Sequence, residues 1–353
     1  MKKLKVRKKV VIAMSGGLDS SVAAAILKRA NLKVKGVFLK LADLPSFREA
    51  EARARKVAKI LKIPFYVFNF EKEFKKRIVD YFLKENKKGL TPNPCVLCNK
   101  EIKFGLLLEK ALTLDADYLA TGHYARVKKI ENRKQKIEYK LLKGKDKDKD
   151  QSYFLWKLNQ NQLKRILFPI EDYTRKEVEN LARKFKLPVL KARKSVEICF
   201  IQTTINDFFK KYLKKKPGAI VNTQGKIIGE HQGLWFYTIG QRKGIGLAGG
   251  PYYVLDKDLK KNRLIVTKNE KDLYKKELFA KNINWISGKK PKLPLRVKAK
   301  IRYRHQPASA TITYNLKLKT YNLKFKRPQR AITPGQSVVF YRGQELLGGG
   351  IIC

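Results

Sequence analysis

The stretch that most restricts this chain lies near its start, where the apolar run Val10, Val11, Ile12, Ala13, Met14 meets Ser15-Gly16-Gly17-Leu18-Asp19-Ser20-Ser21 without a spacer. Five apolar residues suit a buried strand, and two consecutive glycines then turn the chain into a helix-like segment over 20–30. A strand, a glycine turn and a helix in that order form one step of a parallel sheet with crossover helices. The pattern continues. Residues 34–41 read as a second strand, and 47–61 as a helix with Phe47, Ala50, Ala54, Val57 and Leu61 on one face. A third strand is expected over 65–70, a helix over 74–85, and a short strand over 117–121 that runs into Gly122-His123-Tyr124. Thr174 and Glu177 stand at capping-box spacing and open another helix.

The fold class expected is therefore α/β, with a parallel-sheet domain over 1–205. From Pro217 the pattern changes to glycine-punctuated β signals, giving a small central domain over 206–277. Short runs of apolar and polar alternation then predict a C-terminal antiparallel β-barrel or sandwich over 278–353. With 43% apolar residues among 353, the chain can fill two or three separate cores.

The glycine turn also carries chemistry. Backbone N–H groups and the start of a helix converge there on a site suited to phosphate. A P-loop would place Lys before the Ser, and none occurs, so γ-phosphate transfer of that kind is disfavoured. S-G-G-x-D-S is instead the pyrophosphate-loop signature of enzymes that split ATP into AMP and pyrophosphate. Attaching AMP to an oxygen turns a poor leaving group into a good one, and a nucleophile must then attack.

Four cysteines, Cys95, Cys98, Cys199 and Cys353, are the natural candidates, because a thiolate is strongly nucleophilic. They are too few and too uneven for the disulfide framework of a secreted chain, which suggests a reducing compartment, the cytoplasm. The basic N-terminus is followed by too short an apolar run for an export signal, and lysines interrupt every candidate membrane span. Cys95 and Cys98 lie in a Pro- and Asn-rich loop before a helix expected from about Lys100, where the helix end and Lys100 or Lys103 would lower the Cys98 pKa. Cys199, in Ile198-Cys199-Phe200, has the apolar setting of a buried structural thiol. A zinc half-site or a redox pair at C-x-x-C fits less well, since His123, His231 and His305 are scattered and supply no second ligand pair. Taken alone, His123 and His231 read as structural histidines, with His123 gaining weight from its place at a strand end.

Lys and Arg number 81 against 30 Asp and Glu, a formal charge of +51, so the surface attracts polyanions and a nucleic acid is the leading partner. Lysine on solvated faces explains much of that excess equally well, so charge alone decides little.

Eight blocks, in order MSGGLDSS, TPNPCVLCNKEIKFG, ATGHYAR, DKDQSYFL, EICFI, GEHQGLWFYTIGQRKGIG, IRYRH and AITPGQSVVFYRGQELLGGGII, make the chain resemble the bacterial tRNA-specific 2-thiouridylases over essentially its whole length. The resemblance implies an ATP site at Ala13, Met14, Ser15, Gly16, Gly17, Leu18, Asp19 and Ser20, with Leu39 and Gly122. It implies base contacts from Asn93, Pro94 and Cys95, and tRNA contacts from His123, Lys149, Asp150, Gln151, Arg302, Tyr303 and Gln336. Cys98 matches the nucleophile and Cys199 the persulfide carrier, the two forming a disulfide in turn. ATP and Mg2+, a tRNA and a sulfur-donor protein (a cysteine desulfurase or a sulfur relay protein) are implied, with no resident metal site and no membrane. The family's reaction adenylates the C2 oxygen of the wobble uridine and replaces it by sulfur, and closure of the 240–250 segment over the substrate is expected. Four departures stand out: Cys95 and Lys194 occupy positions where Asp is common, Leu39 replaces a common Met, and the segment from Ala42 to Phe47 is shorter than usual after the second strand. Two other classes remain open on the residues alone, a pyrophosphate-loop ligase or amidotransferase for a small molecule and a non-catalytic RNA-binding protein.

Overall fold

The computed structural model describes residues 7–131, 135, 137–190 and 198–353, so Lys194 lies outside the described residues. Strands β1 (Lys9–Ala13), β2 (Lys33–Lys40) and β3 (Phe65–Asn69) alternate with helices α1 (Leu18–Arg29) and α2 (Pro45–Ile60). Phe47, Ala50, Ala54, Val57 and Leu61 of α2 and its C-cap all join the core beneath the sheet, as their spacing requires.

After α3 (Glu71–Phe74), a π-helical turn leads into α4 (Asp80–Lys87), and α5 (Pro94–Cys98) runs through a second π-helical stretch, Asn99–Leu106, into α6 (Leu107–Thr113). Then come β4 (Tyr118–Ala120), the hairpin β5 (Ala125–Glu131) and β6 (Ile137–Lys143), α7 (Gln160–Leu163), β7 (Ile166–Leu167) and α8 (Arg175–Lys184). The expected capping box at Thr174 and Glu177 forms at the start of α8.

The first sheet has the order β3-β2-β1-β4-β7 with every pair parallel. The chain leaves β1 toward β2 on one side while β4 flanks it on the other, so a crevice opens at the carboxyl ends of β1 and β4. The Ser15–Ser20 turn follows one of these strands and Thr121–His123 the other.

Helix α9 (Ile205–Tyr212) leads into a four-stranded mixed sheet made of β8 (Gly218–Val221), β9 (Ile227–His231), β10 (Tyr253–Asp258) and β11 (Arg263–Thr267). Strands β12 (Tyr274–Trp285), β13 (Leu295–Lys300), β14 (Ala308–Asn315), β15 (Thr320–Arg330), β16 (Ser337–Arg342) and β17 (Glu345–Ile352) then close into an antiparallel barrel, because β12 pairs with both β15 and β17. Closure removes the exposed edges that an open sheet of this length would present.

The β5–β6 hairpin does not stay with the first sheet. It pairs with β17 and extends the barrel sheet instead. One apolar core accordingly spans both units, with Leu119 and Phe168 from the α/β side packed with Trp156, Val339, Tyr341 and Leu346. Trp156 is fully buried there and donates to Ser337 Oγ at 3.0 Å. Among the described residues no helix is long and apolar enough to cross a membrane.

Candidate active site

The turn after β1 is built to keep its backbone groups facing outward. Gly16 has φ +71°, and a Cβ there would lie 2.0 Å from the Ala50 carbonyl oxygen of α2, so only glycine fits. Ser20 Oγ accepts from the Ser15 N–H at 3.1 Å and donates to the Gly17 carbonyl at 3.2 Å, while Ser21 Oγ donates to the same carbonyl at 2.8 Å. Gly17 is the N-cap of α1, and the helix begins at Leu18. Gly122 closes against this turn, since a Cβ on it would stand 2.6 Å from the Ser20 nitrogen. Ala13 and Met14 supply the strand end, and Leu39 sits half-buried near the end of the neighbouring strand β2.

Asp19 is held from two sides. Tyr124 donates its hydroxyl to Asp19 Oδ1 at 2.7 Å, and Arg175 at the start of α8 donates to both carboxylate oxygens at 2.9 and 3.1 Å. Sequence reasoning missed Arg175, which it read only as part of a helix start. The signal was weak, because nothing in the spacing of residues 19 and 175 connects them.

Three of the four cysteines, Cys95, Cys98 and Cys199, lie close enough to bear on one another electrostatically. Asn93 caps α5 by accepting from the Val96 N–H at 3.4 Å, and Pro94 takes the first helical position. The helix therefore starts at Pro94 and not near Lys100: Cys95 and Cys98 lie within it, Cys98 as its last residue. The expected lowering of the Cys98 pKa does not occur. Cys98 is buried among Ile102, Phe200 and Ile201, and burial pushes its thiol up to about 11 against the opposing charge of Lys103.

Cys199 differs from the buried structural thiol its apolar neighbours suggest. Ile198 and Phe200 pack into the cluster that holds Cys98, and Cys199 between them is exposed. Desolvation by the surrounding protein, with Cys98 and Cys95 nearby, pushes its thiol up to about 12. Alkylation of Cys199 by iodoacetamide is therefore expected to accelerate about tenfold per unit from roughly pH 7 to 9, as the thiolate fraction grows. A rate that levels off within that window would contradict the raised pKa.

Lys103 ties the site together. Its charge bears on Cys95, Cys98, Cys199 and His123 alike, whereas Lys100 faces Glu101 at 3.6 Å. His123 is buried between Phe104 and Phe168, with Nδ1 2.7 Å from Thr121 Oγ1, and burial holds it neutral, far below the usual imidazole range.

Residues 8–203 match the tRNA methyl transferase HUP domain, 206–268 the tRNA methyl transferase PRC-barrel domain and 275–352 the aminomethyltransferase β-barrel domain. The tRNA-specific 2-thiouridylase MnmA of Buchnera aphidicola is 44% identical over 99% of this chain and 98% of its own length. The corresponding protein of Moorella thermoacetica is 46% identical over 97% of this chain and 98% of its own. The chain belongs to the tRNA-specific 2-thiouridylase family. Among solved structures, the U34-tRNA thiolase NcsA from Methanococcus maripaludis with its [4Fe-4S] cluster is 17% identical, covering 58% of this chain and 67% of that one, at a TM-score of 0.37. That likeness is too distant to bear on the chemistry.

Within this 2-thiouridylase frame, several residues expected at the tRNA surface do structural work. Buried Asp150 accepts from the Gly144 and Ser152 N–H groups, each at 3.1 Å, and Gln151 Oε1 accepts from the Tyr124 N–H. Arg302 NH2 donates to the Ile239 and Ala331 carbonyls at 2.9 and 3.0 Å and to Thr333 Oγ1, joining the segment after β9 to the barrel. Gln336 Nε2 donates to the Thr91 carbonyl at 2.9 Å. His123 is 8% exposed. Lys149 is exposed, and Tyr303, half-buried against Phe154 at 4.5 Å, keeps an accessible face. His231 is buried, with Nδ1 accepting from Gly233 N and Nε2 near Asn262 O, the structural role its type suggests.

Proposed function

We propose that this protein replaces the C2 oxygen of a tRNA uridine, the wobble uridine by family resemblance, with sulfur at the expense of ATP. The observation that carries the reading is the shared electrostatic locus of Cys98, Cys199 and Lys103, next to His123 at the end of β4, whose neighbour Gly122 closes on the glycine turn.

Uridine O2 attacks the α-phosphorus of ATP, an O–P bond forms and pyrophosphate leaves. The N–H groups of the turn after β1 and the start of α1 receive phosphate charge, and Lys103 adds a cation beside the base. Cys199 carries the outer sulfur as a persulfide. The Cys98 thiolate attacks Cys199 Sγ, forming a Cys98–Cys199 disulfide and releasing hydrosulfide, which adds to C2 and expels AMP. Two electrons from a thiol reductant then restore both thiols.

Among the described residues no three His, Cys, Asp or Glu side chains gather as a metal cage. The donors suit a Mg2+ ion that arrives on the phosphates of ATP, with Asp19 as the protein carboxylate near it. Such an ion supplies charge neutralisation at the departing pyrophosphate. Loading of Cys199 requires a sulfur-donor protein that itself carries a persulfide: the Cys199 thiolate attacks the outer sulfur, the donor cysteine leaves as its thiolate, and exposure of Cys199 suits that encounter. These steps, and the abundance of cationic side chains, suit a tRNA substrate in the cytoplasm.

The test is mass spectrometry of nucleosides from tRNA incubated with the protein, ATP, Mg2+ and a persulfide-bearing sulfur-donor protein. The expected result is a sulfur-for-oxygen mass shift on uridine that requires ATP. Unmodified uridine, with ATP turnover indifferent to tRNA, would reject the reading in favour of a small-molecule ligase.

A further inference from the structure

The loop that delivers the thiol helix, residues 89–93, is gripped by parts of the chain far away in sequence. At its start, Lys257 of β10 donates to the Gly89 carbonyl at 3.1 Å. At its middle, the Thr91 N–H donates to the Pro334 carbonyl at 2.9 Å, and Gln336 Nε2 donates to the Thr91 carbonyl at 2.9 Å. Both polar groups of the Thr91 main chain are therefore satisfied by one turn of the barrel.

Between those two contacts sits Gly335, at φ +90°. A Cβ there would stand 2.8 Å from the Thr91 nitrogen and 2.9 Å from Leu90 Cβ, so the close approach requires glycine. The turn is itself fixed to the last barrel strand, with Gly335 N donating to Ile352 O and Ile352 N to Gln336 O, both at 2.9 Å. At the end of the loop, Asn93, whose side chain caps α5, lies beside the buried Tyr153 hydroxyl, and that hydroxyl donates to the Ser337 carbonyl at 2.8 Å. Ser337 opens β16, so the barrel touches the helix cap through one phenol.

We infer that the 334–337 turn of the barrel is a positioning element for the helix bearing Cys98, with Gln336 and Tyr153 setting the loop and its cap. Gln336 on this reading acts through Thr91 and does not need to touch tRNA. Its amide is already committed to the loop, and the groups it fixes lead directly into Asn93, Pro94, Cys95 and Cys98.

The kinetic part of this inference rests on the sulfur-transfer reading, and the labelling part does not. The variants are Gln336→Ala, which removes the donor to Thr91, and Tyr153→Phe, which removes the hydroxyl relay and keeps the ring. Two readouts are taken on the full chain, after thermal melts confirm folding: kcat and KM for tRNA with a separate tRNA Kd, and the rate at which iodoacetamide labels Cys98 without tRNA or ATP, followed by peptide mass spectrometry.

A positioning role predicts kcat lower by roughly ten- to a hundredfold in each variant, since small misplacements of reacting groups cost that much, with the tRNA Kd within about twofold. It also predicts faster labelling of Cys98, because a loosened helix opens a thiol that is now buried. A raised KM and Kd with unchanged kcat and labelling would overturn the inference and return Gln336 to tRNA contact. Unchanged labelling in both folded variants would overturn it as well. If the unaltered protein makes no thiouridine, the sulfur-transfer reading fails, while the Cys98 labelling rates still decide the clamp.

Discussion

Replacing Cys199 by serine is expected to lower thiolation by about three orders of magnitude or more, while tRNA binding changes by no more than a few-fold. The reason lies in what sulfur does and oxygen does not. A serine hydroxyl forms no persulfide and offers Cys98 no S–S bond to close, so the electron pair that expels hydrosulfide has nowhere to form. The side chain itself contributes little contact area, being one small exposed residue beside a strongly cationic chain. Single-turnover assays of thiouridine, paired with filter binding of tRNA, separate the two effects. Appreciable thiolation by Cys199→Ser would sink the assigned role. Cys98→Ser is the companion variant; it loses the reaction equally but accumulates a persulfide on Cys199, visible by mass.

Introducing alanine at Gly16 is expected to lower the apparent affinity for ATP by about a hundredfold or more and to destabilise the fold by on the order of 2–3 kcal/mol. Two penalties act at once. The backbone at φ +71° is unfavourable for any residue with a Cβ, and the new methyl would lie 2.0 Å from the Ala50 carbonyl oxygen, well inside contact distance. Relief requires α2 to move away from β1, and Arg53, which donates to the Gly16 carbonyl at 3.2 Å, moves with it. The turn then loses the arrangement of N–H groups that receives phosphate. Calorimetric titration with ATP and a thermal melt measure the two parts separately. Undiminished ATP affinity in Gly16→Ala would show that this turn is not the phosphate site.

The elements that local sequence controls were legible in advance. Apolar spacing located β1 and the buried face of α2, because periodicity is a direct record of which side chains face a core. Asn93, Pro94 and the capping pair Thr174 and Glu177 show the opposite sides of the same rule. The capping pair was read correctly, whereas the helix opened by Asn93 and Pro94 was placed six residues late, since the Pro- and Asn-rich run was read as loop rather than as an N-cap and first turn. The π-helical turns, which shift the helix register after Cys98, leave no mark in periodicity that a short segment could reveal.

What escaped the sequence was the environment of each functional group. The Cys98 pKa was expected to fall because a helix end and cations stand nearby in sequence, yet burial outweighs Lys103 there. Arg175 on Asp19, and the hairpin β5–β6 on the barrel, are contacts between distant segments, as are Arg302 on Ala331 and Gln336 on Thr91.

By itself the sequence determined the parallel-sheet start, the glycine turn at its end and the family to which the chain belongs. These depend on residue type and near-neighbour spacing, which a linear string carries in full. Tertiary structure alone decided which thiol is buried and which is open, which charges reach them, and which polar side chains are spent on holding domains together. Such properties are sums over neighbours brought near by folding, and desolvation depends on all of them at once.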